Sequence, residues 1–155
     1  MTSKRVAAWL AANAPDLRVI DQGSSTATVA EAAAELGVEP GRIAKTLAFR
    51  VGDAAMVVIA RGDARLDNAK CKTELGGRPR MLDAEETLAV TGHAVGGVCP
   101  FALATPVPVL ADRSLLAFET VFPAAGSRTS SVEVAPQRLA ELTSARWVDI
   151  CKSPD

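Results

Sequence analysis

The chain has 155 residues, of which 48% are apolar and 23% charged, and its formal net charge is −1 at pH 7. This is an ordinary globular composition, and the near-neutral charge excludes a strong overall basic field, so nucleic-acid contact would need a local basic patch. Three scattered cysteines and one histidine make a Cys/His zinc site unexpected. Because no apolar run reaches the roughly 18 residues of a membrane span and no signal peptide is evident, we expect a cytoplasmic protein with reduced thiols.

The first half of the chain predicts alternating helices and strands. In chain order these are a helix over 3–13, a strand over 17–21, a helix over 29–36, and two strands over 43–51 and 54–60. Thr28 and Glu31 have the spacing of a capping box, and Gly37 is suited to end the helix that they begin. The turn at Gly52-Asp53 predicts that the two strands form a hairpin.

The second half continues the mixture. Its predicted elements are helices over 67–75 and 83–90, strands over 107–111, 115–122 and 130–134, a helix over 136–142 and a last strand over 147–151. Asp67 and Asp83 are suited to the N-caps of their helices. Helices inserted among hairpin-like strands predict one mixed α+β domain over 1–155 rather than a doubly wound sheet.

Lys45 is the unusual residue of the strand over 43–51. Side chains alternate along a strand, so Lys45 shares a face with Ile43, Leu47 and Phe49. A lysine among apolar side chains needs a partner or a pocket for its amine. Three interpretations follow. Lys45 extends along the sheet edge to solvent, or the opposite face of the strand is the core, or Lys45 is held at a cleft and aimed at an oxygen of a substrate.

Two glycine-bearing loops are further candidates for ligand binding. The run Gly96-Gly97-Val98-Cys99-Pro100 could present backbone N–H groups to a carbonyl oxygen, or could be a tight turn. The loop over 125–131, with Gly126, Ser127, Arg128 and Ser131, offers hydroxyls and a guanidinium to a small polar ligand, or is simply a turn. Cys99 lacks an obvious triad, so a thiol nucleophile is disfavoured, and His93 is interpreted as a surface or loop residue.

A modest basic cluster follows the hairpin, and its members are Lys70, Lys72, Arg78 and Arg80. Such a run is either a solvated helix face or a contact for nucleic-acid phosphates.

Three stretches together resemble the YbaK/EbsC family of aminoacyl-tRNA editing domains, which are related to the insertion domain of bacterial prolyl-tRNA synthetases. They are TVAEAAAELGV over 28–38, IAKTLAF over 43–49 and GGVCPF over 96–101. The resemblance covers about residues 20–150. It implies a mixed α/β fold with a central, mostly antiparallel sheet curled around a pocket, and flanking helices. It also implies hydrolysis, in trans, of the ester that joins a wrong amino acid to tRNA.

The resemblance also implies roles for individual residues. The lysine of the family matches Lys45, which would be the catalytic residue that positions the aminoacyl ester. The implied substrate-binding residues are Thr26, Thr46, Gly96, Gly97, Pro100, Gly126 and Ser127. The basic residues Lys70, Lys72, Arg78 and Arg80 would contact the tRNA acceptor end, in a salt-dependent way.

The implied partners are a mischarged aminoacyl-tRNA and an aminoacyl-tRNA synthetase, with no membrane, no metal and no cofactor. Small amino acids such as cysteine or alanine, carried by proline or cysteine tRNA, are the implied substrates. Ala102 stands where close relatives have glycine, which leaves the amino acid open. Lys45 could act as an electrostatic clamp or, with a pKa lowered by desolvation, as a base.

Two other function classes stay open at this point. One is a non-catalytic module that binds aminoacyl-tRNA or amino acids beside a synthetase. The other is a hydrolase of small esters, for which the basic cluster would be irrelevant.

Overall fold

The helices lie where the sequence predicts them. The computed structural model describes residues 3–152. The five α-helices of that part of the chain, α1 to α5, span Lys4–Asn13, Val29–Leu36, Asn68–Leu75, Ala84–Thr91 and Pro136–Thr143. The capping box of Thr28 and Glu31 is formed, and Gly37 ends α2 in the left-handed conformation. Asp67 and Asp83 are the N-caps of α3 and α4, as predicted. None of the helices in residues 3–152 has the length and apolar character to cross a bilayer.

The strands are numbered β1 to β10. They span Val19–Asp21, Ile43–Val51, Ala54–Arg61, Arg65–Leu66, Arg80–Met81, Val109–Asp112, Phe122–Pro123, Ser130–Val132, Arg146–Val148 and Cys151–Lys152. The predicted hairpin is confirmed as β2 and β3, which pair antiparallel from Ala44 to Val51. Four of the seven strand pairings among the described residues are antiparallel, and the mixed α+β fold is confirmed.

Two predicted strands are wrong in part. The segment predicted as extended over 115–122 begins in a 3₁₀ helix, Arg113–Ala117, because the Asp112 side chain accepts from the Ser114 N–H and turns the chain. The strand predicted over 147–151 is two strands, β9 and β10, with different partners: β9 pairs with β6, and β10 pairs with β4.

The central sheet has an interrupted edge. The strand β3 occupies one edge of β2 along Ala44–Val51. On the other edge, β7 pairs with Ile43 and Ala44 and β5 pairs with Phe49 and Arg50. The four residues between them, 45–48, have no strand from the described part of the chain beside them on that edge. The Ala48 carbonyl accepts there from the Leu82 N–H at 3.1 Å.

The two faces of β2 pack against different elements. Phe49 lies in an apolar cluster with Cys71 of α3, and Ile43 packs with Ala32 of α2. The alternate residue Ala48 packs with Leu82, ahead of α4. Each face therefore has its own cover, and both covers end at the open edge of β2.

Asp112 connects β6 to the end of the chain. It is 1% exposed, and its carboxylate accepts from the N–H groups of Ile150 at 2.8 Å, Cys151 at 3.2 Å and Ser114 at 2.9 Å. Backbone donors this deep need a partner. The carboxylate therefore fixes the point where β9 ends and β10 begins.

We expect Asp112→Ala to lower the free energy of unfolding by about 3 kcal/mol, because it leaves buried N–H groups without an acceptor. Urea denaturation measures this loss. The matched control is Asp149→Ala, which removes an exposed ion pair with Lys70 and should cost less than about 1 kcal/mol. Equal losses in the two variants would contradict the role given to Asp112.

Candidate functional site

A cavity of about 360 Å³ opens at the interrupted edge of β2. Its wall combines the start of α2, the open stretch of β2, the loop around Val95–Val98 and the beginning of β8. Most of the wall is apolar and many of its side chains are small. Within residues 3–152, Lys45 is the only charged residue that lines it. Apart from the Lys45 ammonium group, the wall of the cavity is therefore uncharged and mostly aliphatic.

Lys45 and Thr46 both line the cavity, although neighbours in a strand point to opposite faces. No strand of the described chain pairs with residues 45–48 on this edge, so the cavity extends around the edge and is lined by side chains from both faces of β2. The Ala48 carbonyl points to this edge, and peptide groups of alternate residues share an edge. The peptide groups of Thr46 therefore also point to the open edge.

The amine of Lys45 is held by the turn after β3. Its Nζ donates to the carbonyl of Gly62 at 3.1 Å and to the carbonyl of Ala64. An ammonium group has three N–H donors, so one donor is not used by these carbonyls. Burial lowers the pKa of Lys45, while the nearby Cys151 and Asp63 act in the opposite direction. Asp63 itself is bonded to Arg61, at 2.9 Å.

Two hydroxyls of the wall have no partner in the described part of the chain. Thr46 Oγ1 and Ser131 Oγ are shielded from solvent, and neither makes a hydrogen bond within residues 3–152. Other hydroxyls of the wall are engaged: Ser130 is bonded to Ser127 at 2.7 Å, and Thr28 caps α2. As the side chains stand, almost none of the surface of either oxygen is accessible, so neither hydroxyl is presented to the open cavity.

Arg128 joins the loops at the rim of the cavity. Its guanidinium donates to the Val95 carbonyl at 3.1 Å, and its own carbonyl accepts from the Thr26 hydroxyl at 2.9 Å. Gly96 lies directly under this side chain, since a Cβ there would be 3.1 Å from the Arg128 Nε. The φ of Gly96 is +93°, a conformation that favours glycine. Gly96 is thus suited to packing under Arg128.

The predicted substrate-binding residues fall into two groups. Thr26, Thr46 and Gly96 line the cavity with Lys45. The others do not line it, and they are Gly97, Pro100, Gly126 and Ser127. Gly126 packs on α1, where an added Cβ would come within 2.6 Å of Val6.

The basic cluster is divided in the structure. Lys70 is already engaged, because its Nζ lies 2.9 Å from both Asp149 Oδ1 and the Cys151 carbonyl. Lys72, Arg78 and Arg80 make no ion pair with any carboxylate in residues 3–152. Arg80 lies in β5 directly before Met81, a residue of the cavity wall. Lys72, Arg78 and Arg80 therefore have side chains available to bind phosphates. Of these three, Arg80 directly precedes a residue of the cavity wall in the chain.

Cys99 and His93 form a buried pair. The Cys99 Sγ is 3.4 Å from His93 Nε2, which is also 2.8 Å from the Phe101 carbonyl. Burial raises the pKa of the Cys99 thiol to about 12, and neither residue lines the cavity. His93 lies in a loop as expected, but its interpretation as a surface residue is wrong because it is 5% exposed. The pair packs the loop behind the cavity wall.

Ser131 belongs to the hydroxyl-bearing stretch 125–131, but it was not among the predicted substrate-binding residues. It lies in β8, where all three residues are buried, and its pairing with Ala124 brings it to the cavity. A serine in a strand that is buried on both faces indicates that a polar group lies near its hydroxyl. The sequence alone could not show that both faces of β8 are covered.

The comparisons with known proteins indicate a family. The model of a family described as "Aminoacyl-tRNA editing domain" matches residues 23–142. The chain is 48% identical to the YwhH protein of Bacillus subtilis over 131 residues, 83% of each chain. It is 31% identical to EbsC of Enterococcus faecalis, named as a proposed Cys-tRNA(Pro)/Cys-tRNA(Cys) deacylase, over 78% of this chain and 76% of EbsC.

Longer proteins and solved structures also match. A proline–tRNA ligase of Bacillus cytotoxicus is 31% identical over 57% of this chain, which corresponds to 16% of the ligase. The crystal structure of a candidate trans-editing enzyme for prolyl-tRNA synthetase superposes with a TM-score of 0.87 at 34% identity, covering 97% of this chain and 96% of that one. The match therefore spans the fold, the cavity and the loops around it.

We expect Gly96→Ala to lower the free energy of unfolding by about 1–2 kcal/mol, because the new methyl group strains a positive φ and contacts Arg128. Gly23→Ala is the matched control: its φ is also positive, at +71°, but an added Cβ would meet nothing within 4 Å, so it has the backbone strain without the contact and should cost less. Urea denaturation compares the two. In an Arg128→Ala background the cost of Gly96→Ala should fall, and an unchanged cost would contradict the packing described.

Proposed function

The chain belongs to the aminoacyl-tRNA editing domain family, and on that premise we propose that it hydrolyses, in trans, the ester of a tRNA charged with a wrong, small amino acid. Cysteine and alanine on proline or cysteine tRNA are the substrates that we infer. The observation that carries the proposal is the neutral cavity with a single lysine, whose amine is held by two carbonyls and has one donor to spare.

The shape of the cavity supports a small aminoacyl group. Its volume of about 360 Å³ is at the lower end of the range for small-molecule sites. The wall contains Ala32, Ala44 and Ala48, with Thr46 between the latter two in the strand. Because the amino acid is attached to the terminal ribose of the tRNA, it can enter the cavity while the rest of the tRNA stays outside.

Lys45 is assigned the role of an electrostatic clamp. The carbonyls of Gly62 and Ala64 accept hydrogen bonds and so favour the protonated amine, and they fix its position. The third N–H is then available for the carbonyl oxygen of the ester, where negative charge develops as a nucleophile attacks. A water molecule would attack the ester carbon, the bond to the ribose oxygen would break, and that leaving oxygen would take up the proton that the water gives up. The Cys99 thiol takes no part, because it is buried away from the cavity.

The free cations are assigned to the tRNA acceptor end. Lys72, Arg78 and Arg80 make no ion pair in the described residues, and Lys70 is available only if its contact with Asp149 opens. Each phosphate that such a side chain neutralises adds to the salt dependence of binding. A hydrolase of small esters would need none of these contacts.

We expect Lys45→Ala to lower the kcat/KM of deacylation by about 10²–10³, the usual size for removal of one donor to a developing negative charge. Release of amino acid from a panel of tRNAs mischarged with alanine, cysteine, serine or proline measures this. Lys4→Ala, at an exposed position of α1, is the matched control and should keep full activity. Retention of most activity in folded Lys45→Ala would overturn the clamp, and no release from any tRNA by the wild type would favour a binding module.

We expect the double variant Lys72→Glu/Arg78→Glu to raise the KM for aminoacyl-tRNA with little change in kcat. The slope of log affinity against log salt should become shallower by about 0.7–0.9 for each phosphate that the variant no longer neutralises. The matched control is Lys4→Glu/Arg113→Glu, which makes the same total change of charge at two exposed positions outside the basic cluster. If the double variant and the control behave alike, the basic cluster does not bind tRNA.

A further inference from the structure

A buried histidine joins the two ends of the loop that forms one side of the cavity. The loop follows α4 and contributes Val95, Gly96 and Val98 to the cavity wall. Its ends meet at His93, whose Nε2 lies 2.8 Å from the Phe101 carbonyl oxygen. The imidazole does not itself line the cavity, so this hydrogen bond acts on the cavity wall only through the loop.

The direction of the hydrogen bond follows from its acceptor. A carbonyl oxygen can only accept, so the imidazole carries its proton on Nε2. Burial lowers the pKa of His93, and the nearby Arg5 charge acts in the same direction, against the hydrogen bond to Phe101. The ring is therefore neutral at neutral pH. The Cys99 Sγ lies 3.8 Å from the same carbonyl oxygen, but a thiol is a weak donor, so His93 is the stronger donor of the two.

The other end of the loop is held by a more exposed contact. The Arg128 guanidinium donates to the Val95 carbonyl at 3.1 Å from an exposed position, where water competes for both groups. His93 and Phe101, by contrast, are 5% and 0% exposed. A buried carbonyl that loses its donor costs free energy, and it recovers a donor if the loop moves toward water. His93 therefore determines the position of this side of the cavity wall.

We propose that His93 is a positioning residue that sets the upper size limit of the amino acid, by fixing the loop that carries Val95 and Val98 against the cavity. This inference rests on the proposed deacylase function. With the loop in place the cavity has a volume of about 360 Å³, and a loop displaced outward leaves room for larger side chains. Because Lys45 does not depend on His93 for its position, loss of His93 changes the selectivity more than the rate on a small substrate.

Two variants of nearly equal shape isolate the hydrogen bond. Glutamine and methionine have similar lengths, but only glutamine places an N–H donor near the position of the imidazole Nε2. The quantities to compare are kcat/KM for alanyl-tRNA and for valyl-tRNA, made on the same proline tRNA. We expect the ratio of alanine to valine to fall about tenfold in His93→Met, the effect of one net hydrogen bond, and to stay within about twofold of the wild type in His93→Gln.

Ile150→Val is the matched control for a general loss of stability. Ile150 is fully buried in the separate apolar cluster that contains Phe49, and shortening it costs stability. It should leave the ratio between the two substrates unchanged, whatever it does to the absolute rates. If His93→Met does not fold, His93→Asn takes its place, because its amide is one methylene shorter than that of glutamine; the same fall of the ratio is expected.

NMR tests the hydrogen bond without any substrate. The chain has a single histidine, so its imidazole nitrogens give one set of ¹⁵N signals. At neutral pH these signals should show a neutral ring with its proton on Nε2, and that proton should exchange slowly with water. A proton on Nδ1 instead would overturn the contact with Phe101 and the positioning role with it.

The outcomes separate this inference from the function on which it rests. Equal release of valine and alanine by the wild type, or an unchanged ratio in folded His93→Met, overturns the size limit but leaves the deacylase function standing. An equal fall of the ratio in the methionine and glutamine variants overturns the role of the hydrogen bond. Failure of the wild type to release either amino acid overturns the deacylase function and the size limit together, while the NMR signals still show whether His93 holds the loop.

Discussion

The interrupted edge of β2 is the constraint on which the site depends. Strands β7 and β5 take the two ends of one edge and leave residues 45–48 without a neighbouring strand from the described chain. In a closed sheet the two faces of a strand are separate compartments, each with its own cover. Here the cavity passes around the strand, so consecutive residues Lys45 and Thr46 serve one site.

A single cation in a neutral wall gives the site its electrostatic character. The carbonyls of Gly62 and Ala64 hold the Lys45 amine, while burial lowers its pKa. Carbonyl dipoles position a charge without neutralising it, unlike a carboxylate. The charge is thus available for an oxygen of the proposed substrate. Asp63, a nearby carboxylate that could quench this charge, is instead bonded to Arg61.

The glycine-rich loops act through packing as well as through contact with the cavity. Arg128 spans from the loop before β8 to Val95, and Gly96 leaves room for it. Gly126 allows its loop to approach α1 at Val6. The sequence indicated both loops as candidates for ligand binding, the first for its glycines and the second for its hydroxyls and guanidinium. Only the folded arrangement shows that Gly96 lines the cavity while Gly126 lies behind it.

The sequence by itself determined the helices, the β2–β3 hairpin and the family, because capping boxes, C-terminal glycines and alternating strands are local signals. It also singled out Lys45, a charge on an apolar strand face, and the pairing of Thr28 with Glu31 set the start of α2 beside it. The tertiary structure alone decided where Lys45 directs its amine, that Ser131 and Thr46 belong to one cavity wall, and that Lys70 is occupied by Asp149. It also decided where β9 ends, through Asp112. These outcomes depend on contacts between residues far apart in the chain, and such contacts leave no periodicity or spacing in the sequence.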